Sequence, residues 1–150
     1  NNTMTRSMLV TVLWRMEGEP AVNSANPFAD VAAGTWYTDA VIWANSTGIV
    51  NGTGTAVFAP NDSVTREQLT AILYRYAKTK GRDISGTSAL SAFLDGNQVS
   101  DWAARAVEWA CAEGLLTGKD DGRLDPQGQA SRAEVATILM RLLESKAKNA

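Results

Sequence analysis

The stretch Val64-Thr65-Arg66-Glu67-Gln68-Leu69-Thr70-Ala71-Ile72-Leu73-Tyr74-Arg75-Tyr76 decides the fold. Thr65 with Gln68 three residues on fits a capping box, in which the hydroxyl accepts from the third helical N–H and the Gln side chain reaches back. Leu69, Ile72, Leu73 and Tyr76 then fall at i, i+3, i+4 and i+7, one apolar stripe of a helix. The pattern returns at Ser131 with Glu134, followed by Val135, Ile138, Leu139 and Leu142. It also opens the chain at Thr5, followed by Leu9, Val12, Leu13 and Met16, where Met8 leaves a cap without a box. Three equivalent helices with one apolar face each predict a central three-helix bundle.

Outward from these helices the chain repeats itself. With Trp36 placed over Trp102, residues 36–76 match 102–142 at 12 of 41 positions without a gap, among them Ala40, Val41, Trp43, Ala44, Gly48, Gly52, Pro60 and Arg66. Phe28 and Asp30 match Phe93 and Asp95 at an offset one shorter. A further copy is present only as its tail, so the first repeat is expected to be truncated and the sequence to be a piece of a longer protein.

Each full repeat reads as two helices. Trp36, Ala40, Trp43, Ala44 and Thr47 share one helical stripe, and Gly48, like Gly114 in the next copy, supplies a residue tolerant of positive φ just past its end. Residues 49–60 predict a turn-rich loop with a short extended piece, and Asp121-Gly122 marks a turn in its counterpart. The fold class expected is therefore all-α: tandem helix–loop–helix repeats in a pseudo-three-fold arrangement. The divisions fall at 1–26, 27–80 and 81–150, with a tail frayed from Ser145.

Composition narrows the function. At 150 residues and 45% hydrophobic the chain suits one ordinary globular domain. There are 14 Lys and Arg against 16 Asp and Glu with no basic cluster, which argues against nucleic acid as a partner. No apolar run is long enough for membrane insertion. The absence of histidine removes the commonest general base and most zinc sites, and the single Cys111 allows no internal disulfide and reads as a small buried apolar residue. No cofactor or metal is expected; Lys119 to Asp125 lacks the spacing and final Glu of an EF-hand. A two-carboxylate glycosidase needs a facing acidic pair, and the acidic residues are scattered along the sequence.

The repeat resembles the S-layer homology (SLH) repeat. The match runs through Phe28-Ala29-Asp30-Val31, Trp36, Ala40-Val41, Gly48-Ile49-Val50, Gly52, Phe58-Ala59-Pro60 and Val64-Thr65-Arg66-Glu67. The last of these corresponds to the family's Ile-Thr-Arg-Ala-Glu signature, which recurs at Ala130 to Glu134 and at Met4 to Ser7. The resemblance implies a surface module that binds secondary cell-wall polysaccharide, often with a ketal-linked pyruvate. Its grooves would use the signature Arg with aromatic, Asp and Gly residues, here including Asp30 and Asp95. It also implies a secreted protein held at a bacterial cell envelope.

The residues themselves point to anions. Arg6, Arg66 and Arg132 each fall at a first helical position, where the helix dipole disfavours a cation by roughly 0.3–1 kcal/mol. Either an internal carboxylate answers each one (Asp30, Asp62, Asp95 and Asp125 are the candidates), or Arg and the helix N–H groups together receive a ligand carboxylate. Trp36, Trp43, Trp102 and Trp109 could stack on sugar rings or fill the core, with one of each pair expected inside. Gly52 and Gly118 suit a groove wall or a turn requiring positive φ. Arg15, Arg75 and Arg141, nine residues after each signature Arg, read as a solvated face. The alternative to a glycan anchor is a helical module that binds protein, with self-association through the face left by the truncated repeat.

Overall fold

The capping chemistry sets the helices. In the computed structural model, which describes residues 2–51 and 56–149 (side chains as far as 144), five α-helices are present. They are α1 (Arg6–Met16), α2 (Thr38–Ser46), α3 (Arg66–Thr79), α4 (Asp101–Ala112) and α5 (Arg132–Asn149). The described residues contain no sheet, only three isolated bridges. The fold is all-α, as the periodicity predicts. The chain forms two compact units, residues 4–63 and residues 1–3 with 64–150.

All three signature helices start where the sequence places them. Thr5 accepts from Met8 N–H (3.1 Å). Thr65 and Gln68 form the full capping box, and Ser131 with Glu134 makes the same reciprocal pair at 3.0 and 3.1 Å. Leu9, Leu13, Leu69, Leu73, Val135 and Leu142 are buried along the expected stripes. α2 and α4 end alike: Gly48 and Gly114 take positive φ, and the next residues, Ile49 and Leu115, donate back to Ala44 and Ala110. That is a Schellman end, the arrangement Gly is needed for.

One boundary differs from expectation. Trp36 precedes α2 rather than lying within it, because Thr38 Oγ1 bonds the Ala32 carbonyl and Thr35, holding the chain in a local turn. At the other end of the chain α5 runs to Asn149.

In the unit of residues 4–63, α1 packs on α2. The loop before α3 turns through Ala59 at φ 60°, a left-handed conformation costly for a residue other than Gly. Asp30 compensates: its two oxygens accept from Phe58 N–H (2.9 Å) and Ala59 N–H (2.8 Å). The carbonyls so presented cap the start of α1, with Arg6 N–H donating to Asp62 and Ser7 N–H to Pro60.

The unit of residues 1–3 and 64–150 repeats this with other side chains. α3 packs on α4. Asp125 takes φ 54°, and Asp95 accepts from Leu124 N–H (2.8 Å) and Asp125 N–H (2.9 Å). Arg66 N–H donates to Gly128 and Glu67 N–H to Pro126, while Arg132 N–H donates to Asn2. Buried Glu67 also accepts from Ser100 N–H and Oγ, fixing the start of α4, whose own cap residue makes no capping bond.

Two outcomes test this packing. Burial works to raise the Asp95 carboxyl, but the Leu124 and Asp125 amides outweigh it and hold the group below the usual carboxylate range. Its stabilising effect is therefore complete above the unfolded value of about 3.9 and is lost as pH falls through the lower folded value. Asp95→Asn is expected to cost roughly 1–3 kcal/mol at pH 7 and to flatten the decline of stability as pH falls below about 4, read by urea unfolding. Trp109, fully buried, and Trp102, 57% exposed, should separate sharply. Trp109→Ala is expected to cost about 3–5 kcal/mol and Trp102→Ala less than about 0.5 kcal/mol in the same assay.

Candidate functional site: an arginine-centred pocket at the start of α3

The signature arginines lie at the first residue of α1, α3 and α5, but their surroundings differ. Arg6 is buried, donates through Nε to the Phe58 carbonyl (2.9 Å) and lies over the Phe58 ring at 4.9 Å. Arg66 is equally buried and donates through Nε to the Leu124 carbonyl (2.7 Å), with Nη1 paired to Glu134. Arg132 is exposed. The guanidinium is thus part of the lock that seats the left-handed loop, a role its helical position alone does not reveal.

This corrects one expectation. The N–H groups at the first two positions of α1 and α3 bind loop carbonyls and those at the third bind the Thr cap, so they are not open to a ligand anion. Whatever Arg66 can offer an anion comes from its Nη atoms. Burial pushes its guanidinium down from the usual value while nearby Asp125 and Asp95 hold it up, and arginine stays cationic throughout the physiological range.

Beside Arg66 opens a pocket of about 280 Å3, near the lower end of ligand-sized cavities. α5 contributes Ala133, Glu134, Thr137, Ile138 and Arg141, and the loop after α4 contributes residues 115–119. Three cationic side chains thus meet at one pocket: Arg66, Lys119 and Arg141. Glu134 faces Arg66, Lys119 Nζ pairs with Asp125 at 2.9 Å, and Arg141 Nη1 donates to the Leu115 carbonyl at 3.3 Å. Leu115, Leu116 and Ile138 supply apolar wall.

Gly118 takes the positive φ anticipated for a turn. It lines the pocket at φ 82°, and a Cβ there would lie 2.8 Å from the Phe93 ring, so both backbone conformation and close approach require glycine. Gly52, its counterpart, lies outside the described residues. Asp30 and Asp95 have both carboxylate oxygens engaged by loop amides. Trp36 and Trp102 are exposed, Trp43 is half-buried and Trp109 is in the core. Trp102 is not part of the pocket lining.

Sequence reasoning missed three lining residues. Arg141 carries a signal, its recurrence nine residues after the signature Arg, but periodicity alone assigns it to a solvated face. The spacing of Glu134 predicts only the reciprocal half of a capping box, which it is, with its second oxygen on Arg66. Lys119 sits in the turn closed by Gly122 N–H to Lys119 and Lys119 N–H to Arg123, the hairpin-like turn expected there. Cys111 is half-buried, and burial pushes its thiol up to about 11. No helix of the described residues is long and apolar enough to cross a membrane.

Comparison with known proteins joins these observations. The sequence profile of the S-layer homology domain matches residues 27–70 and 92–136. The chain is 35% identical over 148 residues to an amylopullulanase of Thermoanaerobacterium thermosulfurigenes, covering 96% of this chain and 8% of that protein. It is 31% identical over 149 residues to the surface-layer 125 kDa protein of Lysinibacillus sphaericus (95% of this chain, 12% of that protein). A cellulosome-anchoring protein of Acetivibrio thermocellus is 24% identical over 147 residues, 95% of this chain and 32% of that protein. The chain spans less than a third of the length of each of these relatives. With its two profile matches covering more than half its length, the chain belongs to the S-layer homology domain family.

Proposed function

We propose that this chain is a non-catalytic anchoring module that holds its parent protein at a bacterial cell envelope. It does so by binding a secondary cell-wall polysaccharide with acidic substituents, pyruvate ketals being the fitting class. The family and the names of the surface-layer and cellulosome-anchoring relatives support the anchoring role. The observation that carries the acidic ligand is the pocket at the start of α3, where Arg66, Lys119 and Arg141 line one cavity.

The chemistry follows from what each group is already doing. Arg66 Nε is committed to Leu124, so the guanidinium plane is fixed before any ligand arrives. Preorganisation of this kind removes the ordering cost a flexible cation would incur. Glu134 occupies the Nη1 side as an internal carboxylate, and a ligand carboxylate entering the pocket would meet Arg141 and Lys119 as well. The apolar wall of Leu115, Leu116 and Ile138 suits the C–H face of a sugar or the methyl of a pyruvate ketal. Arg6 and Arg132 hold the equivalent places in the other repeats, and Trp36 and Trp102 offer exposed rings on which further sugars could stack. Asp30 and Asp95 act in this reading as clamps that position the loop.

Arg66→Ala would remove a buried structural bond together with a ligand contact, so the cleaner variants are Arg141→Ala and Lys119→Ala, whose own bonds are a long 3.3 Å contact to the Leu115 carbonyl and an exposed pair with Asp125. Arg141→Ala is expected to weaken binding to purified pyruvylated wall polysaccharide by roughly 1.5–3 kcal/mol, with Lys119→Ala smaller because that charge is exposed and salt-screened. Polysaccharide stripped of pyruvate should bind weakly to every variant alike. Failure of the unaltered chain to bind either polymer, or full binding by Arg141→Ala, would set the proposal aside in favour of a protein-binding role.

A further inference from the structure

The cationic pocket beside α3 carries anions of its own. Three cationic side chains line it: Arg66, Lys119 and Arg141. Two carboxylates of the chain answer them, Glu134 on Arg66 Nη1 and Asp125 on Lys119 at 2.9 Å. Arg141 is met by a carbonyl, that of Leu115, and no carboxylate of the described residues pairs with it. Asp95 also bears on Arg66, but its two oxygens accept from the Leu124 and Asp125 amides. Among the lining cations and their direct partners, one positive charge is left for a ligand.

Glu134 is held in place by the helix it starts. Its Oε1 accepts from Ser131 N–H at 3.1 Å while Ser131 Oγ accepts from Glu134 N–H at 3.0 Å, so swinging the carboxylate aside would undo the cap of α5. It therefore stays beside Arg66 as a ligand enters, and its charge acts on that ligand. The cap itself does not require the charge. On α3 the same place belongs to neutral Gln68, which accepts from Thr65 N–H at 3.0 Å and completes the same box. What Glu134 adds over a glutamine is a negative charge on the wall of a cationic pocket.

We infer that Glu134 is a charge filter, admitting a ligand group that carries one negative charge, such as a carboxylate, and turning away one that carries two, such as a phosphate. Attraction to the cations and repulsion from Glu134 both scale with ligand charge. A monoanion matches the one positive charge left over. A dianion overfills the site and sets its second charge against Glu134, whose partner Arg66 is buried and little screened by salt. Selectivity of this kind comes from a repulsive element rather than from an added contact. The inference rests on the anion-binding reading of this pocket and on no particular polysaccharide.

The test titrates the full 150-residue chain and its Glu134→Gln variant with pyruvate and, separately, with inorganic phosphate. It is run at pH 8 and constant ionic strength, and followed by the NMR amide signals of Gly118 and Thr137 in the pocket wall. The unaltered chain should bind phosphate no more tightly than pyruvate, despite the second charge. Glu134→Gln should tighten pyruvate roughly threefold to tenfold, the range for one screened charge pair near contact, and phosphate by about the square of that factor. Circular dichroism and Tm should be those of the parent, since Gln68 shows that an amide keeps the cap. Asp120→Asn, which removes an exposed charge outside the lining, should leave the ratio of the two affinities unchanged. An equal change for both anions in Glu134→Gln, weaker pyruvate binding by that variant, or no response of either chain to either anion would overturn the inference. Binding of pyruvylated wall polysaccharide, measured in parallel, tests the anchoring proposal separately. Its absence with the selectivity shift present would sink that proposal alone, and its presence without the shift would sink this one alone.

Discussion

A carboxylate that accepts two successive backbone amides holds this structure in register. Asp30 and Asp95 each pin a left-handed residue, Ala59 or Asp125, that would otherwise be unfavourable by roughly 1–3 kcal/mol. With the turn fixed, the carbonyls around it point at the first N–H groups of the helix belonging to the preceding repeat, and that helix begins without orphaned donors. The signature arginine closes the lock by binding the carbonyl of the residue before the turn. Loop, helix start and arginine are therefore one device, and at α3 a ligand-sized cavity opens directly beside it.

The arginine's place at a helix start acquires a different meaning in this light. A cation at that end of a helix dipole is mildly unfavourable, yet the cost is set against a charge-assisted bond to a buried carbonyl and, for Arg66, a carboxylate on Nη1. An arginine suits both tasks because its nitrogens are fixed in one plane, so one can hold the loop while another faces the pocket. The three repeats do not share this equally. The place of Glu134 is taken by Gln68 and Met8 in the other copies, and the residue after each signature arginine is Glu67, Ala133 or Ser7. Glu67 is the one that reaches across to start a helix of the next repeat.

Much of the fold was legible because its determinants are local. Capping boxes join residues three apart, Schellman ends need a Gly just past the helix, and apolar stripes have a fixed period, so the starts of α1, α3 and α5 and the ends of α2 and α4 could be read directly. The start of α2 could not, since Thr35 and Thr38 compete for it through side-chain bonds to the Ala32 region. The site was less legible for a different reason. The partners of Arg6 and Arg66 are backbone carbonyls 52 and 58 residues away, and a carbonyl leaves no mark in a sequence. The same holds for the amides on Asp30 and Asp95. Arg141 was visible as a periodic residue, but only the packing of α5 beside the 115–119 loop turns that period into a pocket wall.

The division of labour within a single side chain is open to direct observation by NMR of the arginine side-chain nitrogens in the intact chain. The Arg66 Nε–H should resonate as a slowly exchanging proton in the free protein. It should stay in place when a pyruvylated wall-polysaccharide fragment is added, while the Nη signals move. An Nε–H that exchanges freely with water, or Nη signals indifferent to the fragment at saturation, would contradict the view that one nitrogen builds the fold while its neighbours meet the ligand.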